Sequence, residues 1–175
     1  MKRTLFLITL VVAGAAGWES HPARLPPAQQ PEIAAGEIGS RLPDFSLKDL
    51  RGKELSSAGF NGKVVLVDFW ATWCQPCKKE MPGYQELLDA YGKRGLVVVG
   101  FKFDTMADTE DPLRFARRIG VRYPLAVASE RLRQAFGGIA GLPTTLIYDR
   151  RGILREKIVG FEYTSVVESD LKPFL

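Results

Sequence analysis

Val67-Asp68-Phe69-Trp70-Ala71-Thr72-Trp73-Cys74-Gln75-Pro76-Cys77-Lys78-Lys79-Glu80-Met81-Pro82 is the stretch on which the fold turns. Its upstream half ends a run from Lys63 to Trp70 that is almost wholly apolar and β-branched, with Asp68 its one charge near the end. Such a run predicts a central strand buried on both faces. Its downstream half opens a helix. Pro76 suits the first helical turn, where its missing N–H costs nothing. Met81, Tyr84, Leu87, Leu88 and Tyr91 then recur at helical spacing. Pro82 predicts a kink, and Gly92 and Gly95 predict the end of the helix. Cys74 and Cys77 therefore fall at a strand-to-helix junction.

Working outward, Phe45 to Leu47 and Glu54 to Ser56 predict a β-hairpin about the Asp49–Lys53 turn. Asn61-Gly62 is a second turn. Leu96 to Phe103 reads as another buried strand, Asp111 to Ile119 as a helix, Tyr123 to Ala128 as a short strand and Arg131 to Phe136 as a short helix. Thr144 to Tyr148 and Ile153 to Val159 pair through the Asp149–Gly152 turn. Ser165 and Glu168 have the spacing of a capping box for a last helix. Strands alternating with helices imply an α/β domain with a mixed central sheet and helices on both faces.

The first 17 residues have the pattern of an export segment. Lys2 and Arg3 precede a short apolar run, and Ala13-Gly14-Ala15 offers a cleavage site. The run is shorter than the roughly 18–20 residues of a spanning helix. It reads as a signal peptide or, uncleaved, as a membrane anchor with Trp18 at the interface. No cysteine near its end permits a lipoprotein anchor. Residues 18–38 are rich in proline and lack a hydrophobic period, as a linker would be. Residues 39–175 form the expected domain. Export implies an oxidising, periplasmic or otherwise extracytoplasmic compartment.

The net charge is +4, half of it from Lys2 and Arg3, and no basic face stands out, which argues against nucleic acid as a partner. The chain has two cysteines and one histidine, His21, in the linker. That cannot furnish the three or four ligands of a zinc site. Haem attachment would need a histidine where Lys78 stands. Redox chemistry or a plain structural disulfide remains for the cysteine pair. A helix N-terminus stabilises a thiolate through its free N–H groups and partial positive charge. The i, i+3 spacing lets the two sulfurs close a small ring. Cys74 at the helix mouth suits an exposed nucleophile, and Cys77, one turn in, a shielded second thiol.

The quoted stretch resembles the thioredoxin superfamily, and within it the exported TlpA- and ResA-like thiol–disulfide oxidoreductases. Gly141-Leu142-Pro143-Thr144-Thr145-Leu146-Ile147-Tyr148-Asp149 and Val159-Gly160 carry the resemblance further, so that it covers the chain from about Leu42 to Leu175. It implies a thioredoxin fold with an N-terminal hairpin and a central insert at about Asp108 to Val127. Pro143 matches the family's cis-proline, and the peptide of Leu142 would hydrogen-bond a substrate's cysteine segment. Asp68 matches thioredoxin's buried acid below the second cysteine, although asparagine is common there in the ResA-like branch; the other reading is a strand-end aspartate that reaches solvent. Glu80 matches an acid linked to the ResA-like pocket, or is an exposed helix residue beside Lys78 and Lys79. Trp73 would touch partners, whereas Trp70 is more simply core.

The resemblance implies reduction of disulfides in other exported proteins, with cytochrome c maturation as one setting. With no flavin or nicotinamide motif in the chain and no cofactor expected, electrons would come from a membrane thiol donor. The DsbA-like oxidants carry a histidine between their cysteines, where this chain has uncharged Gln75 and Pro76. That favours a reductant. Two other readings stand beside it. One is a peroxiredoxin-like peroxidase, whose Pro-x-x-x-Thr-x-x-Cys pattern would need a proline at Val67. The other is a non-catalytic binding or chaperone module braced by the disulfide.

Overall fold

The structure, a computed structural model, describes residues 33–105, 107–108 and 110–175. The expected export segment and most of the expected linker lie outside those residues. The elements follow the predicted order: β1 (Ser46–Lys48), β2 (Glu54–Ser56), β3 (Val64–Trp70), α1 (Gln75–Tyr91), β4 (Leu96–Phe103), α2 (Pro112–Arg118), β5 (Leu125–Ala128), α3 (Glu130–Ala135), β6 (Thr144–Tyr148), β7 (Leu154–Val159) and α4 (Thr164–Leu171). β1 and β2 form a separate antiparallel hairpin, and the central sheet runs β5-β4-β3-β6-β7. β3 is parallel to β4 and antiparallel to β6. Among the described residues no helix is long and apolar enough to cross a membrane.

Alternation of side chains across β3 divides the core into two layers. Phe69 turns to one face, where its ring lies 5.5 Å from Phe101 and 5.4 Å from Phe136 at the end of α3. Phe45, beside the hairpin, closes this layer 5.4 Å from Phe101. Asp68 and Trp70 turn to the other face. Trp70 stacks on Phe115 of α2 at 5.3 Å. Tyr84 of α1 reaches the sheet through a 2.8 Å hydrogen bond with Thr145, the residue paired with Asp68 across β6. Helices thus cover both faces. The insert supplies α2 and most of β5, which extends the sheet beyond β4.

Two turns share one device. Asp49 accepts the backbone N–H groups of Arg51 and Lys53, both at 2.8 Å. Asp149 does the same for Arg151 at 2.8 Å and Ile153 at 3.0 Å. A carboxylate folded back onto its own turn is what Asx chemistry provides, and Gly52 and Gly152 take the left-handed residue each turn needs.

Three expectations shift at element ends. The proposed start of the domain at residue 39 is late: Gly36 is already buried, and its carbonyl accepts the Lys157 ammonium at 3.1 Å. The Ser165–Glu168 capping box does not form. Tyr163 is the N-cap of α4 and offers no side-chain bond, while Glu168 binds the Tyr91 hydroxyl and Lys172. β5 begins at Leu125 rather than Tyr123, because Gln85 takes the Tyr123 N–H at 3.1 Å and Pro124 has none to offer the ladder.

Gly100 in β4 has a packing reason. A Cβ there would fall 2.5 Å from Leu125 and 2.9 Å from the Trp70 indole. Gly100→Ala should destabilise the domain by about 1–3 kcal/mol, the range for overpacked cores. Urea unfolding would measure it, and a change under about 0.5 kcal/mol, the ordinary surface value, would contradict the packing.

Candidate active site

The chain leaves β3 at Trp70 and turns at once, with the Cys74 N–H on the Ala71 carbonyl at 3.1 Å. Cys74 is the N-cap of α1, with Pro76 in the first turn. Its Sγ accepts the Cys77 N–H at 3.3 Å and is bonded to the Cys77 Sγ across a Cα–Cα separation of 5.3 Å. One free N–H of the helix start is thereby directed at the Cys74 sulfur, the arrangement that favours a thiolate there. Cys77 is fully buried. Cys74 is only 4% exposed, so the expectation of an openly exposed nucleophile is corrected. It is the neighbouring Trp73, 45% exposed, that stands out from the surface.

Two carboxyls are buried in the interior with this pair. Asp68 is 0% exposed and Glu80 1%, and among the described residues no oxygen of either has a hydrogen-bond partner. The solvent-reaching reading of Asp68 and the exposed-helix reading of Glu80 are both set aside. Glu80 sits one turn after Cys77 on the same buried side of α1, while Lys79 on the other side is exposed. Burial pushes the Asp68 carboxyl well above the usual carboxylate range. Burial, and then the nearby Asp68 charge, does the same for Glu80. Like charges this close in low dielectric resist ionising together, so the two carboxyls titrate as a pair. The Tyr84 hydroxyl beside them is engaged by Thr145, and the Tyr123 hydroxyl comes near Asp68 without closing a hydrogen bond.

The Leu142–Pro143 peptide is cis. Pro143 directly precedes β6, whose Thr144 pairs with Phe69, so it falls at the end of the sheet from which the cysteine turn leaves. Thr144 Oγ1 donates to the Gly141 carbonyl at 2.9 Å, and the Pro143 carbonyl accepts the Gly160 N–H at 2.9 Å. Pro143 is buried and Leu142 half-buried. Beyond them Val159, Phe161 and Tyr163 are exposed, the two rings in edge contact at 5.2 Å. Trp73, Leu142 and these side chains place apolar surface at this end of the molecule.

The fold thus brings Asp68, Glu80 and Cys77 into one layer behind Cys74, with Trp73, Leu142 and Pro143 at the same end of the sheet. Sequence reading missed Tyr84, Thr145 and Tyr123, which line the buried carboxyls. Tyr84 was visible only as one apolar position of α1, and nothing local marks a tyrosine whose hydroxyl will be dry. The exposed aromatics Phe161 and Tyr163, just after Val159-Gly160, carried the missed signal for the apolar rim.

Residues 38–157 match the AhpC/TSA family. The thiol-disulfide oxidoreductase ResA of Bacillus anthracis is 30% identical over 174 residues, 98% of this chain and 96% of the relative. ResA of Geobacillus thermodenitrificans (strain NG80-2) is 34% identical over 146 residues, 82% of this chain and 79% of the relative. A thiol:disulfide interchange protein of the thioredoxin family from Chlorobium tepidum TLS superposes with a TM-score of 0.70 at 30% identity, over 80% of this chain and 99% of that one. With a disulfide at the mouth of α1 and relatives of this kind along nearly its whole length, the chain belongs to the AhpC/TSA family and is a thioredoxin-fold protein thiol–disulfide oxidoreductase similar to ResA.

Proposed function

We propose that the protein reduces disulfides of exported proteins, with cytochrome c maturation as its setting and a membrane dithiol as its electron source. The observation that carries the reading is the Cys74–Cys77 disulfide at the N-cap of α1, backed by two buried carboxyls without partners. The export-like first 17 residues support the compartment, either as a cleaved signal or as an anchor, and the proline-rich stretch after them then tethers or trails the domain.

In the working direction Cys74 is the thiolate, stabilised by the helix start. It attacks one sulfur of the substrate disulfide, an Sγ–S bond forms, and the other substrate sulfur leaves as a thiolate that takes up a proton. The extended substrate segment lies along the Leu142–Pro143 peptide, against Trp73. Cys77 then yields its proton to the Asp68 carboxylate and attacks the Cys74 sulfur. The second substrate sulfur departs and is protonated in turn. Two electrons and two protons have passed to the substrate, and the enzyme holds the disulfide. A carboxylate with a raised pKa is the better base for a thiol, and burial is what raises that of Asp68.

Cys77→Ser should accumulate mixed disulfides through Cys74 with exported proteins, apocytochrome c among them. Capture by Cys74→Ser instead would reverse the roles. Hydrogen peroxide consumption rivalling insulin reduction would replace the reductase reading by a peroxidase one.

Asp68→Asn should slow resolution more than attack in single-turnover kinetics. It also has a signature in stability. A carboxyl with a raised pKa makes the native state bind a proton that the unfolded chain releases near pH 4, so unfolding free energy falls as pH rises from there through the raised native value. For the oxidised protein, Asp68→Asn should make that fall shallower between pH 5 and 8, by about 1 kcal/mol or more. An unchanged slope in urea titrations would return Asp68 to a structural role.

A single helix N-H and an uncharged Gln75 stabilise the Cys74 thiolate only modestly. The midpoint against glutathione buffers should lie nearer thioredoxin's value of about −270 mV than the −120 mV of DsbA. A midpoint more oxidising than about −180 mV would overturn the reductant assignment.

A further inference from the structure

The residue opposite Trp70 in β4 is a lysine, in a strand otherwise made of apolar residues and Gly100. Lys102 is 3% exposed. An ammonium in such a place must be paired or pay several kcal/mol in lost hydration. Its Nζ donates to the Phe103 carbonyl at 3.0 Å, to Asp104 at 3.3 Å and to Asp108 Oδ2 at 2.5 Å. Asp104 is largely exposed, so Asp108, 14% exposed at its side chain, is the partner that counts. Asp108 Oδ2 also accepts the Thr105 N–H at 3.2 Å, and Oδ1 accepts the Thr72 hydroxyl. Partial burial alone would raise its pKa; the bonds from Lys102, Thr72 and the Thr105 backbone outweigh that and keep it below the usual value, so it is ionised. Thr105 closes the circuit by accepting the Trp73 indole N–H at 2.8 Å.

Thr72 and Trp73 are the two residues immediately before Cys74. The carboxylate of Asp108 thus ties together three segments: the end of β4, the loop that leads into the insert, and the turn that carries the nucleophile. A lysine this buried is a costly way to stabilise a fold, since apolar residues of like volume commonly serve as well or better. What it obtains here is a fixed direction for Asp108, and through it for Thr72 and Trp73.

We infer that Asp108, oriented by buried Lys102, is a positioning residue that clamps Thr72 and Trp73 so that Trp73 is presented as the docking platform for macromolecular disulfide substrates. The inference rests on the proposed reduction of protein disulfides. The clamp acts on the docking of a protein segment, because the side chain it holds out is Trp73, while the sulfurs are held by α1 itself.

Reduction of insulin by wild type, Thr72→Val, Thr72→Ser and the double variant Lys102→Met/Asp108→Asn decides it. The double variant removes the buried charges together, so neither is left unpaired. Thr72→Val is close in size to threonine and keeps the test in hand if the double variant does not fold. Thr72→Val and the double variant should raise KM for insulin about tenfold while kcat falls less than threefold. Thr72→Ser, which keeps the hydroxyl, should stay close to wild type. In ¹⁵N spectra the Trp73 indole N–H, identified by its loss in Trp73→Phe, should exchange at least tenfold faster in both clamp-breaking variants. An unchanged KM, a loss confined to kcat, a Trp73 indole as protected as in wild type, or a Thr72→Ser protein that behaves like Thr72→Val would each overturn the clamp. A wild-type protein that does not reduce insulin at all would instead count against the proposed function.

Discussion

Val64 to Trp70 expose almost nothing on either face, and the rest of the molecule is arranged to keep them so. A strand this apolar cannot lie at an edge or face water on one side. It needs a neighbour on each flank, which β4 and β6 provide, and a layer on each face. The aromatic cluster around Phe136 covers one, and α1 with α2 covers the other. The site inherits its properties from this constraint. The strand's one charge, Asp68, is carried into a place where charge is expensive, and its end delivers Thr72, Trp73 and Cys74 to the helix mouth.

Asp68 and Glu80 illustrate how the family resemblance and the physics bear on each other. Each acid belongs to a different branch of the superfamily resemblance, one thioredoxin-like and one ResA-like, and this chain has both. Among the described residues neither oxygen pair has a hydrogen-bond partner, and both are buried. A buried carboxylate without a partner would cost several kcal/mol, so such groups keep their protons instead. Two of them within electrostatic reach resist full ionisation further. In the proposed reduction such a pair would hold a proton for the thiol exchange. Mere core packing would be served as well by asparagine and glutamine, without the pH-dependent loss of stability.

Much of this was legible in the sequence because periodicity reports burial. The strand, the helix after it, the hairpins and their turns follow from apolar spacing and from Asp-x-x-Gly turn chemistry at Asp49 and Asp149. The cysteine motif and Gly141-Leu142-Pro143-Thr144 carried the fold family and the place of the site. Illegible were features that exist only across the fold. Which side of α1 carries Glu80 inward depends on how α1 lies over the sheet. The N-cap of α4 falls on Tyr163, which makes no side-chain cap bond and so leaves no local signal. Cys74 at the N-cap of α1, expected to be open, is buried. Lys102 was the one anomaly in plain sight, a lysine between two phenylalanines in a buried strand, yet its partner lies six residues on in a loop without a periodic signal.

The division of labour between the two halves of the site follows from what each is built on. The sulfurs and the buried carboxyls stand on β3 and on α1 with its N-cap, packed into the core. The side chains proposed for docking stand on turns: Trp73 before the helix, Leu142 and Pro143 before β6, Phe161 and Tyr163 after β7. Turns tolerate variation at small cost to the core, so partner choice can change there while the chemistry stays fixed. A turn beside a reactive sulfur must still be held still, and hydrogen bonds are the means available where apolar packing is sparse. The Pro143 carbonyl on Gly160 and the Asp108 carboxylate on Thr72 do this for the two sides of the site, one with backbone and one with a buried charge.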